Sequence, residues 1–385
     1  MINRIVVLVI DGLGAGALPD AAEYGDAGAD TLVHVAEAVG GLTLPTFETL
    51  GLGHVASISG VRAMTQPIGC FGRLAFSSAG KDSVAGLREM AGVPLRGNRK
   101  QYAAGLPADV VAKLEQALGQ KVIGGLVSTL EAMVNAHGAE HLSSGAPLVW
   151  TDGQWTCHVA AHEAILPMAQ LVLRCREARK QCAGAGAPER IVAHSFRGAA
   201  GAFELGAGRK DLVAEPSGES LFDVLYRSSQ IVMGIGTASD LFAGRGFTRA
   251  FPAATPAAVF EETLAVFKKT PRGLLCAGLD LAPDEPSATA AVLEDLDRRL
   301  PALFELLRPG DIVAITGGHG RDVTRPTKGP TREYVPLLVT GPRLAGGVSL
   351  GTRSTAADLG QTVADALRCE RLPYGDSFFE ALRPG

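Results

Sequence analysis

Apolar positions along this 385-residue chain follow two patterns. The first is a set of short, unbroken apolar runs, beginning with Arg4–Ile10 (RIVVLVI). Such runs mark strands buried on both faces of a parallel sheet. Further strands are predicted at Cys70–Ser77, Gln230–Ile235, Gly273–Ala277, Asp311–Thr316 and Val335–Thr340. Helical periodicity lies between them, notably at Ser287–Leu307 and Ala356–Arg368, and a helix through Val39 starts at Asp30-Thr31 with Asp or Thr as its cap. This alternation predicts an α/β core with a mostly parallel sheet and helices on both faces.

The second pattern runs from about Gly97 to Asp211. Helical segments (Ala108–Leu118, Leu130–Ala136, Leu166–Cys182) mix with short strands (Lys121–Gly125, Leu148–Thr151, Thr156–Ala160, Arg190–His194), the last entered from a Gly/Ala-rich loop at 183–188. The mixture predicts an α+β cap domain, residues 97–211, inserted into a core formed by 1–96 and 212–385. Its boundaries fall at Arg96–Gln101 and near Gly206–Asp211, both polar or glycine-rich.

Composition narrows the function classes. The chain is 46% hydrophobic but only 5% aromatic, so its core is expected to be aliphatic. A formal net charge of -4 argues against a general nucleic-acid or anionic-membrane binder. No apolar run approaches the ~20 residues of a spanning helix, and no signal peptide with a cleavage region is read at the start. Six cysteines are scattered without a Cys-x-x-Cys pair, which disfavours a thiolate zinc site and leads us to expect a cytoplasmic protein with free thiols.

Candidate chemistry gathers at a few points. Asp11 closes the first strand at the edge where open α/β sheets place ligands, although a cap role is the plainer reading. Asp280 precedes a Pro283 turn that it could cap. Glu285 sits in an Asp284-Glu285-Pro286 turn, and His319 in a Gly-Gly-His-Gly turn where it either ligates metal or only hydrogen-bonds. The Gly80–Gly86 stretch (GKDSVAG) reads as a loop built to present a hydroxyl, with Ser83 as its one hydroxyl. Ser83 is either a nucleophile or the cap of a helix entering at Gly86, beside a Lys81–Asp82 pair. Arg176, Arg179 and Lys180 read as a solvated helix face.

Together the motifs resemble the phosphopentomutase family of the alkaline phosphatase superfamily, nearly end to end. They are Val9–Gly16 (VIDGLGAG), Pro19–Ala21, Gly28–Leu32, Leu44-Pro45, Leu50–Gly53, Gly138–His141, Ala160–Glu163, Thr331–Leu337 (TREYVPL) and Ser354–Gly360. The resemblance implies an alkaline-phosphatase-like core with a cap. It also implies interconversion of ribose 1-phosphate and ribose 5-phosphate through two Mn²⁺ ions and a phosphorylated threonine. Two ions a few Å apart would hold the phosphoryl group and stabilise attacking and leaving oxygens.

Residue by residue, that chemistry is eroded. Asp11, Asp280 and His319 match ligand positions. Gly318 stands where the family has an aspartate, and Pro330 and Glu285 where it has histidines. Ala85 replaces the phosphorylated threonine, and an alanine can neither attack phosphorus nor ligate a metal. Leu87 and Arg88 replace a histidine and a tryptophan, whereas Glu89 is kept. Glu285 as a substituted carboxylate ligand, and Asp322 in place of the lost aspartate, are the candidates for repair. Arg88 and Arg321 are the candidate new partners for acids that no longer face a cation. Ser83 aligns two residues before the reactive threonine. In the cap, Ser128 matches a phosphosugar-contact position and Arg209 a retained basic one. His194 stands for an arginine that Arg197 could replace, and His162 with Glu163 reads as fold. The expectation is a protein that has lost two-metal mutase activity and keeps a site for a small phosphorylated ligand, with weak or single-site Mn²⁺ or Mg²⁺, or none. A repurposed metal-dependent phosphate-ester isomerase or hydrolase is the alternative, ahead of a working phosphopentomutase.

Overall fold

A computed structural model describes residues 2–97, 101–182, 186–281, 285–326 and 329–384. The chain divides into two compact units, one of residues 1–96, 216–239 and 244–385, the other of 97–215 and 240–243. In chain order the strands are β1 (Arg4–Gly12), β2 (Cys70–Leu74), β3 (Ile123–Val127), β4 (Leu148–Thr151), β5 (Thr156–His162), β6 (Arg190–Ala199), β7 (Ala202–Val213), β8 (Val232–Gly236), β9 (Arg249–Phe251), β10 (Gly273–Asp280), β11 (Asp311–Gly320), β12 (Val335–Thr340) and β13 (Ser349–Arg353). The helices are α1 (Thr31–Val39), α2 (Pro45–Leu50), α3 (Ser83–Met90), α4 (Ala108–Leu118), α5 (Leu130–Ser144), α6 (Met168–Gln181), α7 (Leu221–Arg227), α8 (Pro256–Lys269), α9 (Pro286–Phe304) and α10 (Ala357–Ala366).

In the first unit the described strands form one sheet in the order β13-β2-β12-β11-β1-β10-β8-β9. β12 alone runs against its neighbours β11 and β2, so the sheet is mixed and mostly parallel. Every residue of β1 is buried, as an unbroken apolar run requires at the centre of a sheet covered on both faces. Alternate residues Val6, Leu8 and Ile10 join α1, α2, α8 and α9 in the main apolar core. β1 pairs in parallel with β10, Asp11 opposite Asp280. On its other side it pairs with β11, Ile10 opposite Gly317, before a register shift brings Gly12 opposite Gly320. Two carboxylates and the Gly317–Gly320 turn therefore share one carboxyl edge.

The second unit is a five-stranded sheet, β3-β4-β5-β6-β7. One face packs Cys157, Val159, Ile191 and Ala193 against α4 and α6. On the other, Trp150, Ala160 and Phe196 cluster with Met133 and Val134 of α5. β7 crosses the stretch Gly206–Asp211 where the sequence suggested a boundary. Its antiparallel ladder with β6 carries the unit on through Val213, and Lys210 binds Asp240 to draw in 240–243. The glycine-rich loop at 183–185 and Pro283-Asp284 lie outside the described residues. Among those described, no helix is long and apolar enough to cross a membrane.

Candidate functional site

The site is built around the strand edge and the loop entering α3. Arg332 ties that loop down. Its guanidinium donates to the carbonyls of Phe76, Ser78 and Gly80 and to the Asp20 carboxylate, and lies over the Tyr24 ring. Lys81 reaches Asp26 at 2.7 Å, not Asp82. Asp82 accepts the Ala85 N–H at 2.8 Å and is the cap of α3. The helix therefore begins at Ser83 rather than Gly86, and Ser83 lies inside it. Asp82 outcompetes Ser83 because its carboxylate reaches the N–H three residues on. At Gly86 a Cβ would stand 1.8 Å from the Gly318 carbonyl oxygen, so only glycine permits α3 this close to β11. Ala85 lines a small cavity with Gly318 and His319, presenting a methyl group where the chemistry needs oxygen.

His319 is buried. Its Nδ1 lies 2.8 Å from the Gly320 carbonyl, which can only accept, so Nδ1 carries the proton. Nε2 then accepts from the Ser83 hydroxyl at 3.3 Å and faces Asp11 Oδ1 at 4.0 Å. Asp280 meets Arg321, with Nη1 3.4 Å from Oδ1.

Glu333 holds the surrounding loops. Its carboxyl accepts the Thr31 N–H and the hydroxyls of Thr31 and Thr331. Those hydroxyls in turn accept the backbone N–H groups of Arg321 and Asp322. A Cβ at Gly14 or Gly320 would sit 2.1 or 2.4 Å from the Glu333 carboxylate. Burial pushes the Glu333 carboxyl up to about 7, against these hydrogen bonds.

Asp322 is bonded to other groups and Glu285 is exposed. Asp322 accepts from His34 Nδ1 at 2.6 Å, the Asp30 N–H and Thr324. Burial works to raise its pKa, but the bonds from Thr324 and His34 prevail and hold it below the usual carboxylate range. Glu285 is exposed at the N-cap of α9, where the helix start carries it into solvent. Among the described residues no group of three or more His, Cys, Asp or Glu is placed to hold a metal ion. A Cβ at Gly318 would meet Asp11 Oδ1 at 1.9 Å, so the Asp11 carboxylate fills the space a side chain there would use. Asp11 and His319 form a two-donor pair, and Asp280 is matched by a guanidinium. This donor set does not fit a pair of divalent ions.

In the second unit, Ser128, Arg197 and Arg209 do not converge. Ser128 follows β3 at one end of the sheet and Arg209 lies on β7 at the other. Arg197 is exposed and paired with Glu204 across the β6–β7 hairpin, because period two turns it away from the His194 side. Arg209 joins Arg190 on buried Asp211, whose carboxyl these two cations hold far below its usual range despite burial. The sequence reading missed a neighbouring ring cluster. Trp150 stacks on His158 and His194, and His158 Nδ1 lies 3.0 Å from His194 Nε2. Burial, then His158 and Arg209, push His194 well below the usual imidazole value. Period two within each strand was visible, but the ring contacts depend on register between three strands. His162 and Glu163 serve the fold, bonding the Gly198 carbonyl and the Ser195 hydroxyl.

Comparison with known proteins fits this arrangement. A family model described as the metalloenzyme superfamily matches residues 283–371. A phosphopentomutase of Anaeromyxobacter sp. (strain K) is 40% identical over 372 residues, covering 95% of each chain. One of Dictyoglomus thermophilum is 36% identical over 389 residues, covering 100% of this chain and 99% of the other. One of Alkaliphilus oremlandii is 33% identical over 384 residues, covering 98% of both. Among solved structures, the PH0037 protein of Pyrococcus horikoshii aligns with a TM-score of 0.48 at 13% identity, covering 96% of this chain and 98% of that one. The full-length relatives make the chain a member of the alkaline phosphatase superfamily. Within it, the chain belongs to the phosphopentomutase family.

Proposed function

We propose that this chain is a phosphopentomutase-family protein that binds a small phosphorylated ligand and does not transfer phosphoryl groups through two metal ions. One observation carries the reading. The position facing Gly318 and His319 holds Ala85, and the donors around it do not close on two cations. Nucleophile and electrostatic stabilisation are missing together, so neither can compensate for the other. The intact Arg332 and Glu333 networks support retention of a shaped pocket, and the Arg190–Arg209–Asp211 cluster supports anion recognition in the second unit. Free, mostly buried cysteines support a cytoplasmic location.

Elemental analysis of chelator-free protein and a ribose 5-phosphate assay in Mn²⁺ test the proposal. We expect well under one metal ion per chain and no ribose 1-phosphate. Two bound ions together with turnover would overturn it. A second reading, a phosphate-ester hydrolase or isomerase using one Mn²⁺ or Mg²⁺, rests on the 4.0 Å approach of Asp11 and His319. It predicts an activity that chelator abolishes and Asp11→Asn removes.

A further inference from the structure

The arginines buried or half-buried in this protein are not all held alike. Every guanidinium nitrogen of Arg4 and Arg332 is hydrogen-bonded. Arg4 binds Asp311 and the carbonyls of Phe267 and Thr270, and Arg332 binds Asp20 and three carbonyls. Their role is to tie backbone together. Arg321 differs. Its contact with Asp280 is a 3.4 Å approach by one nitrogen, and its Nε–H is buried without an acceptor among the described residues. Buried N–H donors are nearly always satisfied, so hydrogen bonding does not explain this side chain. Its charge does. Asp11 and Asp280 end neighbouring strands in register, placing two carboxylates at adjacent positions on one edge. Side by side in a largely buried setting they repel unless a cation lies close. The backbone of Arg321 is fixed there by its N–H bond to Thr31, itself bonded to Glu333.

We infer that the Arg321 guanidinium is the built-in cation of this edge, neutralising Asp280 and keeping divalent ions out. The inference rests on the reading that the pocket does not hold two ions. Removing the charge while keeping the fold leaves the Asp280 carboxylate without the cation beside it, so that a Zn²⁺, Mn²⁺ or Co²⁺ ion completed largely by water can take that place.

The test is titration of the full chain with Co²⁺, followed by calorimetry and by the visible absorption of bound cobalt. Arg321→Gln retains size and polarity and removes the charge. It should bind Co²⁺ at least about tenfold more tightly than the unaltered chain, as expected for removing a cation a few Å from the ion. Arg321→Lys keeps the charge and should stay as weak as the unaltered chain. Adding Asp280→Asn to Arg321→Gln should abolish the gain. Thermal melts confirm that each variant is folded, and the cobalt spectrum reports an ordered site independently of any activity. Equal cobalt affinity for the unaltered chain and folded Arg321→Gln overturns this inference alone. Tight binding of two ions by the unaltered chain overturns the earlier reading as well.

Discussion

Glu333 gives this protein a pH dependence that one substitution should erase. Its carboxyl rises from 4.5 to about 7 on folding because burial penalises the charged form. A group whose folded pKa is raised binds its proton more tightly in the native state. Its contribution is therefore complete below pH 4.5 and is lost as pH rises through 7. At about 1.4 kcal/mol per pH unit, linkage gives about 2.5 kcal/mol of stability lost between pH 5 and pH 8. Glu333→Gln keeps the shape and cannot titrate. It should also misplace one bond, since both carboxyl oxygens accept from Thr31 or Thr331 while an amide nitrogen only donates. That adds a nearly pH-independent cost of about 1 kcal/mol. The assay is urea unfolding of both proteins at pH 5 and pH 8. Other titrating groups, including Asp30 and His34, are common to both and drop out of the difference. The unaltered chain should lead by no more than about 1 kcal/mol at pH 5, and the gap should move by about 2.5 kcal/mol in favour of Glu333→Gln by pH 8, where the variant becomes the more stable. A gap of the same size at both pH values would refute the reasoning.

The other predictions concern the strand edge. Gly318→Ala places a methyl group 1.9 Å from Asp11 Oδ1, so Asp11 must move; we expect a loss of about 1–3 kcal/mol in chemical denaturation. Ala85→Thr restores a hydroxyl beside Gly318 and His319 but not the ligands. It should yield no phosphoprotein by mass spectrometry after incubation with ribose 5-phosphate and Mn²⁺, and a phosphothreonine peptide would contradict the account.

What the sequence shows and what it hides follow from the range of each interaction. β1 was legible because a central strand buried on both faces needs an unbroken apolar run. β9 and β13 were not: each lies at a sheet edge, short and partly exposed, so nothing forces a pattern on it. β7 escaped because glycines and charges interrupt its alternation, its stability coming from the ladder to β6. The α3 cap was misplaced by one residue, since Asp82 and Ser83 are both good caps and only the fold decides between them. Asp11, Asp280 and His319 could each be picked out from local context and resemblance. That Asp11 and Asp280 stand opposite each other required strand order and register. Arg321 was one of two candidate partners for these acids, and the structure places it 3.4 Å from Asp280.

The same physics separates the positions that folding itself holds from those it does not. Arg332 and Glu333 are buried, and each organises several backbone groups from distant loops. Removing either would leave buried donors or acceptors unpaired, at several kcal/mol. Those positions are held by folding itself, whatever the protein does. Ala85 lines the cavity with a methyl group, and at Gly318 the Asp11 carboxylate occupies the space a Cβ would need, so neither residue ties distant loops together through a side chain. The long Thr331–Leu337 match thus coincides with a constraint from folding, since Arg332 and Glu333 lie within it. Family membership here gives the architecture, and the chemistry has to be read from the site, because function resides there. The charge balance at Asp280 is where the two meet. A carboxylate presented by a central strand needs a counter-charge, and the turn after β11 supplies one, the Arg321 guanidinium 3.4 Å from Asp280.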